Sequence, residues 1–179
     1  MKFTSPLLLL TLIFFTSCSR LVYFTREVRE RLENSNIPLT AIQYYNDKKV
    51  TLMRELESDH TDIQSGKVKF ENGKYINYII LKQKTPGVCN SIFSDQIGIS
   101  FEPGNDHTIN FKEHFREYYN TYLYQIVALE WINNVGRVSY EGNIYNIQPS
   151  GSDARLMIEK DVLNNIEIDK RRMKGIKIK

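Results

Sequence analysis

The chain has 179 residues, with 24 Lys and Arg against 21 Asp and Glu and 41% apolar residues, the make-up of an ordinary globular protein. A net charge of +3 gives no basis for binding nucleic acid. Eleven Tyr, nine Phe and one Trp are the outlier; such side chains suit pleated, half-buried surfaces and lean the chain toward β structure.

Residues 1–17 read as a secretory signal peptide. Lys2 supplies the basic start, Leu7 to Phe15 form an apolar run broken only by Thr11, and Thr16-Ser17 make a small exit before Cys18. These are the three parts of an export signal. The run is shorter than the roughly 20 apolar residues that a membrane-spanning helix needs, so it is expected to be cut off. The sequence Phe15-Thr16-Ser17-Cys18 resembles the lipobox of bacterial lipoproteins, with Phe15 where that pattern prefers an aliphatic residue. The resemblance implies cleavage before Cys18 and acyl chains on its sulfur and its new amine. One chain anchors marginally; two or more hold firmly. Ser19-Arg20 follow, with no Asp at the second position and no acidic cluster. By the same resemblance this places the protein on the periplasmic face of an outer membrane. Lipidation leaves Cys89 as the remaining thiol, so no intramolecular disulfide is expected and Cys89 reads as a small buried hydrophobe.

Residues 18–36 read as a lipidated tether with a short helix. Thr25 is a capping residue, Val28 and Leu32 share a face, and Ser35-Asn36 with Pro38 stop the helix. Residues 37–179 read as one β-rich domain. Ala41–Tyr45 and Lys49–Arg54 form a candidate hairpin about Asn46-Asp47, and Val68–Glu71 and Lys74–Leu81 form another about Asn72-Gly73, a dipeptide that tolerates the positive φ of a tight turn. Thr85-Pro86-Gly87 is a turn. Gln96–Phe101 bends at Pro103-Gly104-Asn105-Asp106 and returns as Thr108–Phe111, with Lys112–Asn120 as loop or helical turns. Thr121–Ile132, the longest apolar stretch, reads as a central strand. A last hairpin runs from Val138–Glu141 to Ile144–Ile147 about Gly142-Asn143, followed by a strand over Ala154–Glu159, a short helix over Lys160–Asn164, and strands near Ile166–Ile168 and Ile176–Ile178. About seven to ten short strands with turn signals between them predict an antiparallel β-sandwich or small barrel.

No nucleophile elbow, phosphate-binding loop, dinucleotide fingerprint or paired-histidine zinc helix is present, and no cofactor or metal is expected. Ser150-Gly151-Ser152-Asp153 has the composition of an exposed turn. His60, His107 and His114 match no ligand spacing and read as solvated. His107 beside Asp106 and His114 beside Glu113 make a metal site with Cys89 the sharper alternative. Glu71, Glu102, Glu130 and Glu141 are the carboxylates available for acid–base work. The leading expectation is a non-enzymatic accessory module that binds another envelope component, such as a secretion or assembly complex. Next comes a small-ligand binder with an aromatic cavity, and last an enzyme acting on envelope polymers, which requires paired acids or a serine–histidine contact in a cleft. Candidate contact residues are Tyr44, Tyr78, Tyr122, Tyr124 and Trp131, with the basic Lys170, Arg171 and Arg172 near the end of the chain.

Overall fold

A computed structural model describes residues 20–56, 67–72, 74–133 and 135–168. The signal segment, Cys18, His60, the basic run at Lys170, Arg171 and Arg172, and the strand expected near Ile176–Ile178 lie outside these residues.

The fold is an antiparallel β-sandwich. One sheet has seven strands: β1 (Leu21–Tyr23), β2 (Gln43–Asn46), β6 (Pro86–Ile92), β7 (Gln96–Ser100), β8 (Thr108–Arg116), β9 (Thr121–Ile126) and β13 (Leu156–Glu159), ordered β1-β13-β2-β6-β7-β8-β9. The other has six: β3 (Val50–Leu56), β4 (Lys67–Glu71), β5 (Lys74–Leu81), β10 (Glu130–Ile132), β11 (Val135–Tyr140) and β12 (Asn143–Ile147), ordered β10-β11-β12-β3-β5-β4. Two helices complete it, α1 (Arg26–Asn34) and α2 (Lys160–Ile168). The described residues form thirteen strands, against the seven to ten expected.

The inner faces share one apolar core. Ile97, Ile99, Phe111, Leu156 and Ile158 of the larger sheet meet Val50, Leu52, Val138, Tyr145 and Ile147 of the smaller. The larger sheet curls until β9 approaches β1 and β13. The Tyr124 N–H donates to Phe24 O at 3.3 Å and the Ile126 N–H to Ala154 O at 2.8 Å. Pairing there stops at isolated bridges, Thr25 to Leu123 and Gln125 to Arg155, so the sheet does not close into a barrel.

Helix α1 forms where its cap predicts. Thr25 Oγ1 accepts from the Val28 N–H at 3.2 Å, Glu27 lies in the first turn and Arg31 in the last, matching the helix dipole. The expected tether, however, is part of the fold: Leu21, Val22 and Tyr23 pair with Glu159, Ile158 and Met157, and Leu32 is fully buried, a burial worth roughly 1.5–3 kcal/mol. Among the described residues, the packed domain therefore includes β1 and α1.

Several boundaries differ from the sequence reading. β2 and β3 do not form a hairpin; the chain passes from one sheet to the other between them. Asn46, fully buried, fixes this crossing: its Nδ2 donates to Lys48 O at 2.6 Å and Lys82 O at 2.7 Å, and its Oδ1 accepts from the Thr85 N–H at 2.9 Å. The stretch Thr121–Ile132 is not one central strand. It divides into β9 and β10, the end strands of different sheets. Pro86-Gly87 opens β6 rather than a turn, β8 continues through Arg116, and α2 runs through Ile168 where a strand was expected.

Candidate functional site

The predicted aromatic residues fall into separate environments. Tyr44 and Tyr124 are buried, each packed on Phe24 at 5.2 and 4.8 Å between ring centroids. Burial pushes both phenols well above the ordinary tyrosine range. The Tyr44 hydroxyl donates to Leu39 O at 3.1 Å. That of Tyr124 donates to Glu113 Oε1 at 2.9 Å and accepts from Arg29 Nη1 at 2.9 Å. Both are core residues. Tyr122 is half-buried under the Arg26 guanidinium, 3.6 Å from the ring centroid. Arg26 also donates through Nε to Glu113 Oε2 at 2.7 Å and through Nη2 to the same oxygen. Arg29 extends this network to Glu33 Oε1 and Phe93 O, both at 2.8 Å. Its charges are matched, and it clips α1 to β8 and β9.

Tyr78 and Trp131 lie on the other sheet. Trp131, on the end strand β10, is half-exposed and covers Gly136: a Cβ there would stand 3.1 Å from the indole ring. Glu130 faces solvent in a 2.6 Å ion pair with Arg137. Tyr78 opposes Met53, which opposes Asn146, on the outer face of the sheet. The same face carries Ile80 (48% exposed), Ile132 (45%) and Ile144 (40%). Strand alternation places these side chains opposite the core-facing Leu52, Val138 and Tyr145.

A polar cluster joins the sheets at one end of the sandwich. The tight turn from β11 to β12 holds Glu141 and Gly142 at φ 51° and 68°, the paired left-handed geometry of a two-residue hairpin turn. It lies one residue earlier than the Gly142-Asn143 turn expected. Its Glu141 N–H donates to Asp106 O at 3.0 Å, in the loop between β7 and β8. His107, in that loop, stacks on Tyr140 at 5.2 Å and 14°. The His107 Nδ1–H donates to Pro103 O at 2.7 Å, and Nε2 lies 3.3 Å from Glu141 Oε1. The Tyr140 hydroxyl donates to Glu102 Oε1 at 2.6 Å, an oxygen 4.0 Å from His107 Nδ1. Burial, then the acceptor Glu102, raise the Tyr140 phenol above its usual range.

His107 is therefore not a solvated histidine; its side chain is 19% exposed. Its partners are Glu102 and Glu141 rather than Asp106 and Cys89, which is buried in the core with its thiol raised by desolvation. Sequence spacing concealed this, because residues 102 to 107 and 141 belong to different sheets. Ser100 Oγ donates to the His107 backbone oxygen at 3.1 Å, so it forms no serine–imidazole dyad. Ser150 to Asp153 form a capped turn, Ser152 Oγ donating to Pro149 O at 2.9 Å and Asp153 pairing with Lys48 at 2.7 Å. His114 is exposed on β8.

Beside the cluster, a cleft of about 200 Å³ opens between the sheets, lined by Leu52, Ile79, Phe101, Glu102, Ile109 and Tyr140 among others. A shallower groove of about 460 Å³ continues past Glu102 toward Val88 and Asn90. None of the five predicted aromatic residues lines either one.

No protein-family model matches the chain. No curated protein and no solved structure matches it either.

Proposed function

We propose that the chain is a lipid-anchored envelope protein, held by acyl chains on Cys18 at the periplasmic face of an outer membrane. In this reading it is a non-enzymatic module that binds another envelope protein. The observation that carries the binding role is the outer face of the six-stranded sheet, where Ile80, Ile132 and Ile144 stand in solvent around Met53 and Tyr78. Exposed apolar side chains gathered on one face of a sheet among polar ones are a mark of a protein contact. The anchor rests on the lipobox-like Phe15-Thr16-Ser17-Cys18. Because β1 begins at Leu21, an acylated Cys18 holds the folded domain within a few residues of the bilayer.

A small-ligand role is the second reading, favoured by the apolar cleft between the sheets. At about 200 Å³, that cleft is smaller than the roughly 300–1,000 Å³ of typical small-molecule sites, so protein binding ranks first.

Mass spectrometry of the mature amino terminus tests the anchor; an unmodified peptide beginning elsewhere refutes it. A photo-crosslinker at Ile80 or Ile144, compared with one at exposed Tyr118 in the turn between β8 and β9, tests the face in intact cells. A discrete adduct from the first two positions only is expected. Equal labelling from all three positions overturns the assignment.

A further inference from the structure

We propose that Glu102, His107 and Glu141 form a divalent-metal site of the nitrogen–oxygen type that zinc occupies, tying the β7–β8 loop of one sheet to the β11–β12 turn of the other. Among the described residues, these three bring one ligand atom each to within 4.8 Å of one another.

The imidazole is the strongest argument. Pro103 O only accepts, so the 2.7 Å contact fixes the proton on Nδ1. In the neutral ring Nε2 then carries a lone pair, with a Glu141 carboxylate oxygen 3.3 Å away. Two acceptors at that distance repel unless a cation lies between them. A metal-ligating histidine usually donates its other ring N–H to a carbonyl or carboxylate, as His107 does to Pro103 O. A tetrahedral zinc ion with bonds of about 2.0–2.1 Å spaces its ligands about 3.3 Å apart, which is the separation already present between Nε2 and Glu141.

The rest of the site is shaped around the ring. Tyr140 stacks on one face of it. Gly104 sits at φ 138°, and a Cβ there would come within 2.3 Å of the imidazole, so the loop makes room for His107 only with glycine at this position. Glu102, 48% exposed, is held through Oε1 by the Tyr140 hydroxyl with that oxygen 4.0 Å from Nδ1, so its carboxylate must turn toward Nε2 to complete the site. Three protein ligands leave one coordination position for water. A protonated His107 paired with Glu141 is the competing occupant of the gap, and the experiment separates the two.

The test titrates zinc into the full-length protein, solubilised in detergent and stripped with a chelator, by calorimetry and by ¹⁵N imidazole NMR. The expected result is one saturable zinc site per chain, with the His107 Nε2 resonance shifting while Nδ1 stays protonated. Glu141→Gln and Glu102→Gln should each weaken binding at least about tenfold, and Tyr140→Phe, which frees Glu102, by about 10–100-fold. His114→Gln should leave it unchanged. Glu102→Gln keeps an acceptor for Tyr140, so one variant preserves the local fold. The proposal is overturned if zinc does not saturate one site, if His107 is already doubly protonated at neutral pH and ignores zinc, or if both glutamine variants bind as the parent does.

Discussion

Arg29 reaches from helix α1 to the Tyr124 hydroxyl at 2.9 Å, a contact between residues 95 positions apart in the chain. The arginine is buried, and its other donors satisfy Glu33 and the Phe93 carbonyl. Removing it takes a charged donor from the Tyr124 oxygen, which keeps its own bond to Glu113, and from the Phe93 carbonyl. Arg29→Ala should therefore lose about 2–3 kcal/mol of stability, read as a lower urea midpoint at unchanged slope. Arg29→Met, which keeps the aliphatic stem, should lose less. A change under about 0.5 kcal/mol in the alanine variant, the level of an ordinary surface substitution, would show that the network contributes nothing.

The raised phenols set an alkaline limit. Tyr44, Tyr124 and Tyr140 are all held above the ordinary value, chiefly by burial. A folded pKa above the unfolded one, near 10 for tyrosine, gives stabilisation that is complete below about pH 10 and lost as pH rises through that value toward the folded pKa. Denaturant midpoints should fall from about pH 10 upward, and tyrosinate absorbance from these three should appear only with unfolding. Tyrosinate signal from all eleven Tyr in a protein that still shows its native sheet signature contradicts this.

Two glycines separate crowding from backbone strain. A Cβ on Gly151 would stand 2.8 Å from the Val50 Cα and 2.9 Å from Lys49 O, backbone atoms that cannot rotate away. Gly151→Ala should cost about 1–3 kcal/mol through overpacking. At Gly142 nothing lies within 4 Å, but φ is +68°, so Gly142→Ala should lose only about 1–2 kcal/mol, from the left-handed backbone. Thermal melts of the two variants check the order. A neutral Gly151→Ala refutes the crowding argument.

Asn46 is a donor where the fold needs one. Its amide nitrogen serves two carbonyls, of Lys48 and Lys82. Aspartate has nearly the same shape but presents acceptors to those same oxygens, so Asn46→Asp should destabilise the protein at least as much as Asn46→Ala, by more than about 2 kcal/mol at neutral pH. The difference between them should shrink on acidification, as the carboxyl gains a proton. An aspartate variant more stable than the alanine variant at pH 7 would dismiss this role.

The sandwich itself was legible in the sequence, because alternation and turn residues act locally. Thr25 named the helix cap, and Asn72-Gly73 predicted the β4–β5 pairing that the register of Glu71 with Lys74 displays. What alternation does not encode is which sheet receives a strand. Asn46-Asp47 has the composition of a hairpin turn, yet the buried Asn46 amide directs the chain across the sandwich. Val127 to Leu129 look continuous with their neighbours but carry the chain from the end of one sheet to the end of the other. The His107 cluster was hidden for the same reason. Its carboxylates come from a loop and a turn whose meeting depends on how the sheets stack, while Tyr44 and Tyr124 were legible as aromatic but not as core.

Strand β13 lies between β1 and β2, so residues 21–23 have no strand partner until residues 157–159 have been synthesised. Pairings of such long sequence separation form slowly. The topology thus postpones completion of the seven-stranded sheet until the last of its strands has been made.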